Sequence, residues 1–265
     1  MQSSSQAIKV AVVGHVEWVQ FAHLEHVPTA GEVVHATDAF EEPAGGGGVA
    51  AVQLARLVGS STLLTAFGAD EPGRRSVSRL EQLGVRVCAA ERALPTRRAL
   101  TLVDQAGERT ITTFGERLEP LRADAELPWE QLGELDAVYF TAGDLPALRA
   151  ARAARVLVAS PRAFGALGHG VPLDALVFSA GDAIEVQAAE RVKGEAALVV
   201  RTEGKRGGTY ITADGRCGSW EAAPLAAAVV DSYGCGDSFA AGLTYALGTG
   251  LTVPDALTLA ARCGA

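Results

Sequence analysis

Only three of the 265 residues are lysine (Lys9, Lys193 and Lys205), and no dense run of Lys and Arg occurs. With 31 acidic residues against 23 basic ones, the chain lacks the electrostatic footprint of a nucleic-acid binder. Cysteine is scarce. Cys88, Cys217, Cys235 and Cys263 are widely spaced, form no CxxC pair and have no neighbouring histidine, which argues against a structural zinc site and against a disulfide framework. The apolar runs fall short of the ~18 consecutive residues a membrane helix needs. Residues 1–6 are polar and uncharged, without the basic and apolar regions of a signal peptide, so a cytoplasmic location is expected. No Gly-x-x-x-x-Gly-Lys-Ser/Thr segment occurs, which excludes a P-loop nucleotide site. His15, His23, His26, His35 and His169 show no metal-ligand spacing on one helix and read as surface histidines, with residues 23–26 in a loop.

Hydrophobic residues make up 48% of the chain, enough for a large core. Strand-like and helix-like runs alternate from end to end. Residues 8–13, 61–67, 137–140, 156–159, 175–178 and 197–201 read as strands, and the apolar run 226–230 precedes the last glycine cluster. Helices are expected over 49–58, 73–83, 145–154, 183–191, 237–247 and 254–265. This alternation predicts a mostly parallel sheet with helices on both faces. Two regions break the rhythm. Residues 33–40 look like antiparallel strand material, and 100–103 and 109–113 flank the turn Asp104-Gln105-Ala106-Gly107. They predict a small sheet beside the main one, a lid formed near 17–44 and 97–115. No Pro-rich or Ser-rich linker interrupts the chain, so one domain over 1–265 is expected.

Three segments carry chemistry. In Asp231-Ser232-Tyr233-Gly234-Cys235-Gly236-Asp237, two glycines one residue apart allow a turn that aims successive N–H groups into one concavity. The following helix adds free N–H groups and the positive end of its dipole. The result suits a phosphoryl group, and Asp237 beside it can take the proton of an attacking alcohol. Spacing alone equally allows Asp237 to be a helix cap after a glycine loop. In Pro43-Ala44-Gly45-Gly46-Gly47-Gly48, four glycines imply a sharp bend or close approach to a ligand. In Ser179-Ala180-Gly181-Asp182-Ala183-Ile184-Glu185, two carboxylates share one helix face, either to hold Mg²⁺ through water or as a capping box. Arg201-Thr202-Glu203-Gly204-Lys205-Arg206-Gly207-Gly208 reads as a polar hairpin turn. Arg162, after a strand end, and Arg98 are candidates for recognising an anionic substrate.

The run from Asp231 through Gly242 closely resembles the C-terminal signature of the ribokinase-like (PfkB) carbohydrate kinase family, Asp-Thr-x-Gly-Ala-Gly-Asp-x-Phe-x-x-Gly. The resemblance implies a ribokinase-like three-layer α/β fold with a β-sheet lid and ATP-dependent phosphoryl transfer to a sugar or sugar-like alcohol. It makes Asp237 the base and Gly234, Cys235 and Gly236 the lining of the anion hole, with Cys235 standing where the family has Ala. Gly45, Gly46 and Gly47 look like the first signature, which opens the sugar site, followed by Leu54-Ala55-Arg56-Leu57 and Ala66-Phe67-Gly68-Ala69-Asp70 with Gly73. The family's Asn falls on Ala50, and Val19 falls near its substrate-binding Asp, with Glu17 a substitute for it. Asp182 and Glu185 correspond to an Asn-x-x-Glu motif that supports Mg²⁺. Thr202, Gly204 and Gly207 match a Thr-x-Gly-x-x-Gly loop beside the nucleotide, and Lys205 is placed to meet a phosphate. The resemblance further implies a monovalent cation near Asp231 and small-molecule partners, while the exposed strands of a lid sheet offer a surface for a homodimer. Family members continue for a few tens of residues beyond the helix that ends this chain, in a segment that helps wall the adenine pocket, so either the chain is trimmed or that pocket is incomplete. The alternatives are a non-catalytic ligand-binding or regulatory descendant and, more remotely, a dinucleotide enzyme, for which Gly14-His15-Val16-Glu17 lacks the glycine-rich turn.

Overall fold

The computed structural model describes residues 8–225 and 229–265, so part of the apolar run 226–230 and the polar residues 1–6 lie outside the described residues. The chain enters through β1 (Val10–Val13) and makes β2 (Glu17–His23) and β3 (Asp38–Ala44) before α1 (Gly45–Val58). Then come β4 (Ser61–Gly68), α2 (Glu71–Gln82), β5 (Val85–Arg92), β6 (Arg98–Val103) and β7 (Arg109–Phe114). The second half continues with β8 (Ala137–Phe140), α3 (Leu145–Ala151), β9 (Val156–Ala159), β10 (Leu173–Ser179), α4 (Ala183–Val192) and β11 (Ala196–Thr202). It closes with β12 (Gly208–Thr212), β13 (Cys217–Trp220), α5 (Cys235–Gly248) and α6 (Val253–Gly264).

Nine strands form one sheet in the order β13-β12-β11-β10-β9-β8-β1-β4-β5, parallel from β11 to β5 and antiparallel at β12 and β13. Its central strands β1, β8 and β9 are apolar and buried along their whole length because both faces are covered. Val10 and Val12 point into a core shared with α1, α2, α5 and α6, whereas Ala11 and Val13 point into a second core with α3 and α4. The period-two alternation of side chains divides one strand between the two layers. Strand order reverses between β1 and β8, because the chain builds outward from β1 to β5 and then returns to the other side. Such a switch leaves a crevice at the carboxyl ends of the strands.

The second sheet has four strands in the order β3-β2-β6-β7. The expected strand over 33–40 lies instead at Asp38–Ala44, and residues 23 and below belong to β2 rather than a loop. Pairing explains the shift. Phe40 lies opposite Phe21 and stacks on it with ring centroids 4.8 Å apart, while Val33 is 83% exposed and has no comparable contact to hold it. The hairpin of β6 and β7 forms around Asp104, whose carboxylate accepts the N–H groups of Ala106 and Glu108, as the turn residues predict. Strands β5, β12 and β13 were not anticipated, since β5 carries Arg86, Glu91 and Arg92 among its apolar residues and β12 and β13 are short, half-exposed segments containing glycine, so their periodic signal is weak.

Candidate active site

The segments with chemistry meet at the carboxyl ends of the central strands. His15 and Glu17 follow β1, Thr141 follows β8, Arg162 follows β9, and Asp182 and Glu185 open α4 after β10. Asp237 lies in the first turn of α5. That helix begins two residues earlier than its apolar pattern suggests, with Gly234 as cap in the left-handed region (φ 74°), a conformation that side chains resist. An added Cβ at Gly234 would also meet Val49 at 2.9 Å. Gly236 differs. A Cβ there meets nothing within 4 Å and the residue is exposed, so the turn is open at that point. Gly236→Ala is therefore expected to leave the thermal midpoint nearly unchanged while lowering turnover, compared by calorimetry and a coupled assay.

Asp237 faces the N-terminal glycine cluster across a short gap. A Cβ on Gly46 would lie 3.0 Å from Asp237 Oδ1 and 3.1 Å from Thr141 Oγ1. Burial pushes the Asp237 carboxyl up to about 6. Arg162 opposes that rise, Glu185 adds to it, and Arg109 and Glu17 act more weakly in opposite senses. Asp237 is thus more than a helix cap, because Gly234 caps α5 and the raised carboxyl is free for other use. The Cys235 thiol is pushed up by burial and so stays protonated near neutral pH, which fits a space-filler better than a reactive thiol.

Tyr233 ties the two glycine segments together, because its hydroxyl accepts the Gly45 N–H at 3.2 Å while its ring packs edge-on against Phe21. The small sheet supplies further groups. Arg97 Nε lies 3.7 Å from Glu17 Oε1, and Arg109 Nη1 donates to Ser232 Oγ at 3.0 Å. Arg98, the expected lid arginine, is exposed on the opposite face. It lines an outer groove with Trp18, Glu41 and Arg75, because adjacent strand residues point to opposite sides.

His15 is buried, contrary to its expected place on the surface. Its Nε2 lies 3.2 Å from Glu17 Oε1. Burial alone would raise the Glu17 carboxyl, but the hydrogen bond from His15 and the charges of His15, Arg97 and Arg117 bring it below its ordinary value. Among the described residues, His15 Nδ1, Arg97 Nε and Thr141 Oγ1 are buried without a hydrogen-bond partner. Unmet groups of this kind cost about 1–3 kcal/mol each, and their gathering near Gly45 and Gly46 is a mark of a functional site. Sequence reading missed His15, Thr141 and Arg97. Only the position of His15 directly after a buried strand offered a signal.

The acidic pair has a different first task from metal binding. Asp182 caps α4, its Oδ1 accepting the N–H groups of Ile184 at 2.9 Å and Glu185 at 3.2 Å. Glu185 reaches back past the cap to the Ser179 N–H at 2.8 Å. Their remaining oxygens hold Arg162. Asp231 sits apart from them in the loop before α5, accepting the Tyr233 N–H at 2.8 Å. Among the described residues, no three metal-ligating side chains converge. Thr202 ends β11, and Gly204, Lys205 and Gly207 form the turn to β12, closed by Glu203 N–H to Gly207 O at 2.7 Å. Lys205 is exposed there. Nearby, Tyr210, Trp220, Ala223, Pro224, Leu257 and Ala261 line a cavity of about 480 Å³. Trp220 stacks on Phe239, two residues past Asp237, at 5.5 Å between centroids.

These features define a class: an α/β protein with a glycine turn at a helix N-terminus beside a raised carboxyl, under a small sheet that contributes charged groups. The model of the pfkB family of carbohydrate kinases matches residues 7–163 and 173–265, and the chain belongs to that family. Solved structures agree on the fold. Ribokinase from Thermotoga maritima is 21% identical with a TM-score of 0.74, covering 97% of this chain and 92% of its own. Arabidopsis thaliana ribokinase, in a complex with ribose and ATP, is 20% identical with a TM-score of 0.74 and coverage of 98% and 92%. Phosphofructokinase-2 from Escherichia coli, in a complex with fructose-6-phosphate, is 18% identical with a TM-score of 0.73 and coverage of 98% and 93%. No curated protein matches the chain. Among the described residues, no helix is long and apolar enough to cross a membrane.

Proposed function

We propose that this carbohydrate kinase transfers the γ-phosphoryl group of ATP to a hydroxyl of a sugar or sugar-like alcohol, with Asp237 as general base. The observation that carries the reading is the Asp237 carboxyl, raised to about 6 by burial, within reach of Gly46 and beside the open glycine turn at Gly236. A carboxylate of that pKa is ionised at neutral pH and remains a competent proton acceptor. The acceptor hydroxyl loses its proton to Asp237 as its oxygen bonds to the γ-phosphorus. The bond to the β,γ-bridging oxygen breaks, and the nucleoside diphosphate leaves with that electron pair. The N–H groups of Gly234, Cys235 and Gly236 stabilise the charge that develops.

On the acceptor side, Gly45, Gly46, Gly47 and Glu17 form the binding surface, with the unmet polar atoms of His15 and Thr141 nearby. On the nucleotide side, Thr202, Gly204, Lys205 and Gly207 border the phosphates and ribose, and the cavity by Trp220 and Leu257 takes the base. Mg²⁺ bound to the nucleotide would neutralise phosphate charge. Asp182 and Glu185 would reach it through its waters, since both carboxylates are already engaged with Arg162 and the α4 backbone. A monovalent cation near Asp231 belongs to the same reading. The small sheet acts as a lid on one domain, and its exposed outer face is the surface through which a second copy would pair. A cytoplasmic location belongs to the same reading.

Because the base must be ionised, kcat/KM should be flat above pH 6 and fall about tenfold per pH unit below it, as a pH–rate profile would record. The function itself is tested by a panel of sugars and polyols with ATP and Mg²⁺, read by ADP release. Turnover of at least one acceptor is expected. A second reading, ligand binding without turnover, draws on Val19 and Ala50, which are apolar and fully buried where sugar-binding polar groups were expected. Thermal stabilisation by ligands with no ADP release across the panel would decide for it.

A further inference from the structure

One charged group near the centre has no part in the scheme above. Arg162 stands in a short turn after β9, and its backbone is fixed from two sides. Ser160 Oγ accepts its N–H at 3.3 Å, and Arg117 Nη2 donates to its carbonyl at 3.0 Å. Its guanidinium is fixed as well. Nε lies 2.6 Å from Glu185 Oε1, and Nη2 lies 2.9 Å from Asp182 Oδ2. Each carboxylate is in turn anchored through its other oxygen to backbone N–H groups of α4 or of the β10 end. Nη1 makes no ion pair or hydrogen bond among the described residues, and the side chain is half exposed. The same guanidinium is the strongest positive charge acting on Asp237.

A planar cation aimed by two anchored carboxylates, with one free edge, at the end of the strand β9 on which the Asp237 helix packs, is an arrangement that stabilises charge on a phosphoryl group in flight. Resting on the kinase reading, we propose that Arg162 is a catalytic residue that contacts the phosphoryl group between the nucleotide and the acceptor hydroxyl. Asp182 and Glu185 are the positioning residues that aim it. The anion Arg162 reads is therefore the transferred group, and the acceptor need carry no charge of its own. As the bond to the acceptor oxygen forms and the bond to the bridging oxygen breaks, negative charge spreads over the equatorial oxygens, where the Nη1 edge donates. The proton still goes to Asp237 and the nucleoside diphosphate still leaves. Lysine cannot reproduce this, because its ammonium lacks the fork that binds two carboxylates and a third partner at once.

The test uses the full chain and the best acceptor from the substrate panel. Arg162→Ala should lower kcat by about 10³-fold with little change in the acceptor KM. Arg162→Lys should recover only part of that loss, and added guanidinium should restore turnover to the alanine variant. A separate measurement needs no acceptor. Wild-type protein should bind ADP, Mg²⁺ and aluminium fluoride together at least about tenfold more tightly than ADP and Mg²⁺ alone, and Arg162→Ala should lose that gain. Arg162→Gln serves for both measurements if the alanine variant fails to fold. An unchanged kcat, or a raised acceptor KM at unchanged kcat, would overturn the proposal while leaving the kinase reading intact. Persistence of the fluoroaluminate gain in the variant would do the same. Absence of turnover in the wild type across the panel would overturn both.

Discussion

Asp237→Asn is expected to lower kcat by about 10³–10⁴-fold while making the protein more stable at neutral pH. The two halves of that result have one cause. Burial raises the Asp237 carboxyl from its ordinary range to about 6, so ionisation costs more in the folded state than in the unfolded one. Below the unfolded pKa the group is protonated in both states and imposes no penalty. The penalty grows as pH rises toward 6 and is complete above it. An uncharged, nearly isosteric amide removes it, which should raise stability at pH 7.5 by on the order of 1–3 kcal/mol. The gain should fade on acidification below pH 4. Paired denaturant titrations of wild type and variant at the two pH values, alongside ADP-release kinetics, check both halves. Full activity in Asp237→Asn would remove the base from the mechanism. A stability loss at neutral pH would show that the carboxylate is held by favourable contacts instead.

Gly47→Ala is expected to be the most damaging single methyl in the N-terminal glycine cluster. A Cβ at Gly47 would lie 2.6 Å from the carbonyl oxygen of His15 and 2.7 Å from the carbonyl carbon of Gly14. Both are backbone atoms, so no side chain can rotate away, and α1 must separate from the end of β1. The Gly47 N–H to His15 O bond at 3.0 Å would be lost with that separation. Overpacking of this kind typically costs about 1–3 kcal/mol, and the rigid partners put this case at the upper end. The movement also carries Gly46 away from Asp237 and Thr141, so kcat/KM for the acceptor should fall along with the thermal midpoint. Gly48→Ala is the control. Its Cβ would meet only ordinary contacts with Val16 at 3.6 Å, and the midpoint should barely move.

The alternation of apolar strands and helices was legible, because a parallel sheet covered on both faces needs uninterrupted Val, Leu and Ala runs in its strands. Residues 137–140 and 156–159 were placed without error. The turn at Asp104 was legible because its chemistry is local. The small sheet was read only in part. β2 carries two charged or polar residues and a histidine among apolar ones, and its pairing with both β3 and β6 comes from segments 20 and 80 residues away in the chain, roughly, a separation no local pattern records. The same limit misplaced the lid arginine by one position, since register decides that Arg97 meets Glu17 while Arg98 faces outward.

By itself the sequence determined the layered α/β architecture, the two glycine clusters and the acid at the start of α5, because each depends on residues near one another along the chain. The tertiary structure decided what those residues do together. It buried His15, brought Tyr233 onto Gly45, and closed Gly46 to within one methyl of Asp237. It also gave the carboxylates of Asp182 and Glu185 to Arg162. The physical reason is that pKa, hydrogen-bond satisfaction and charge pairing depend on distances in space, and these are set only when strands distant in sequence end side by side.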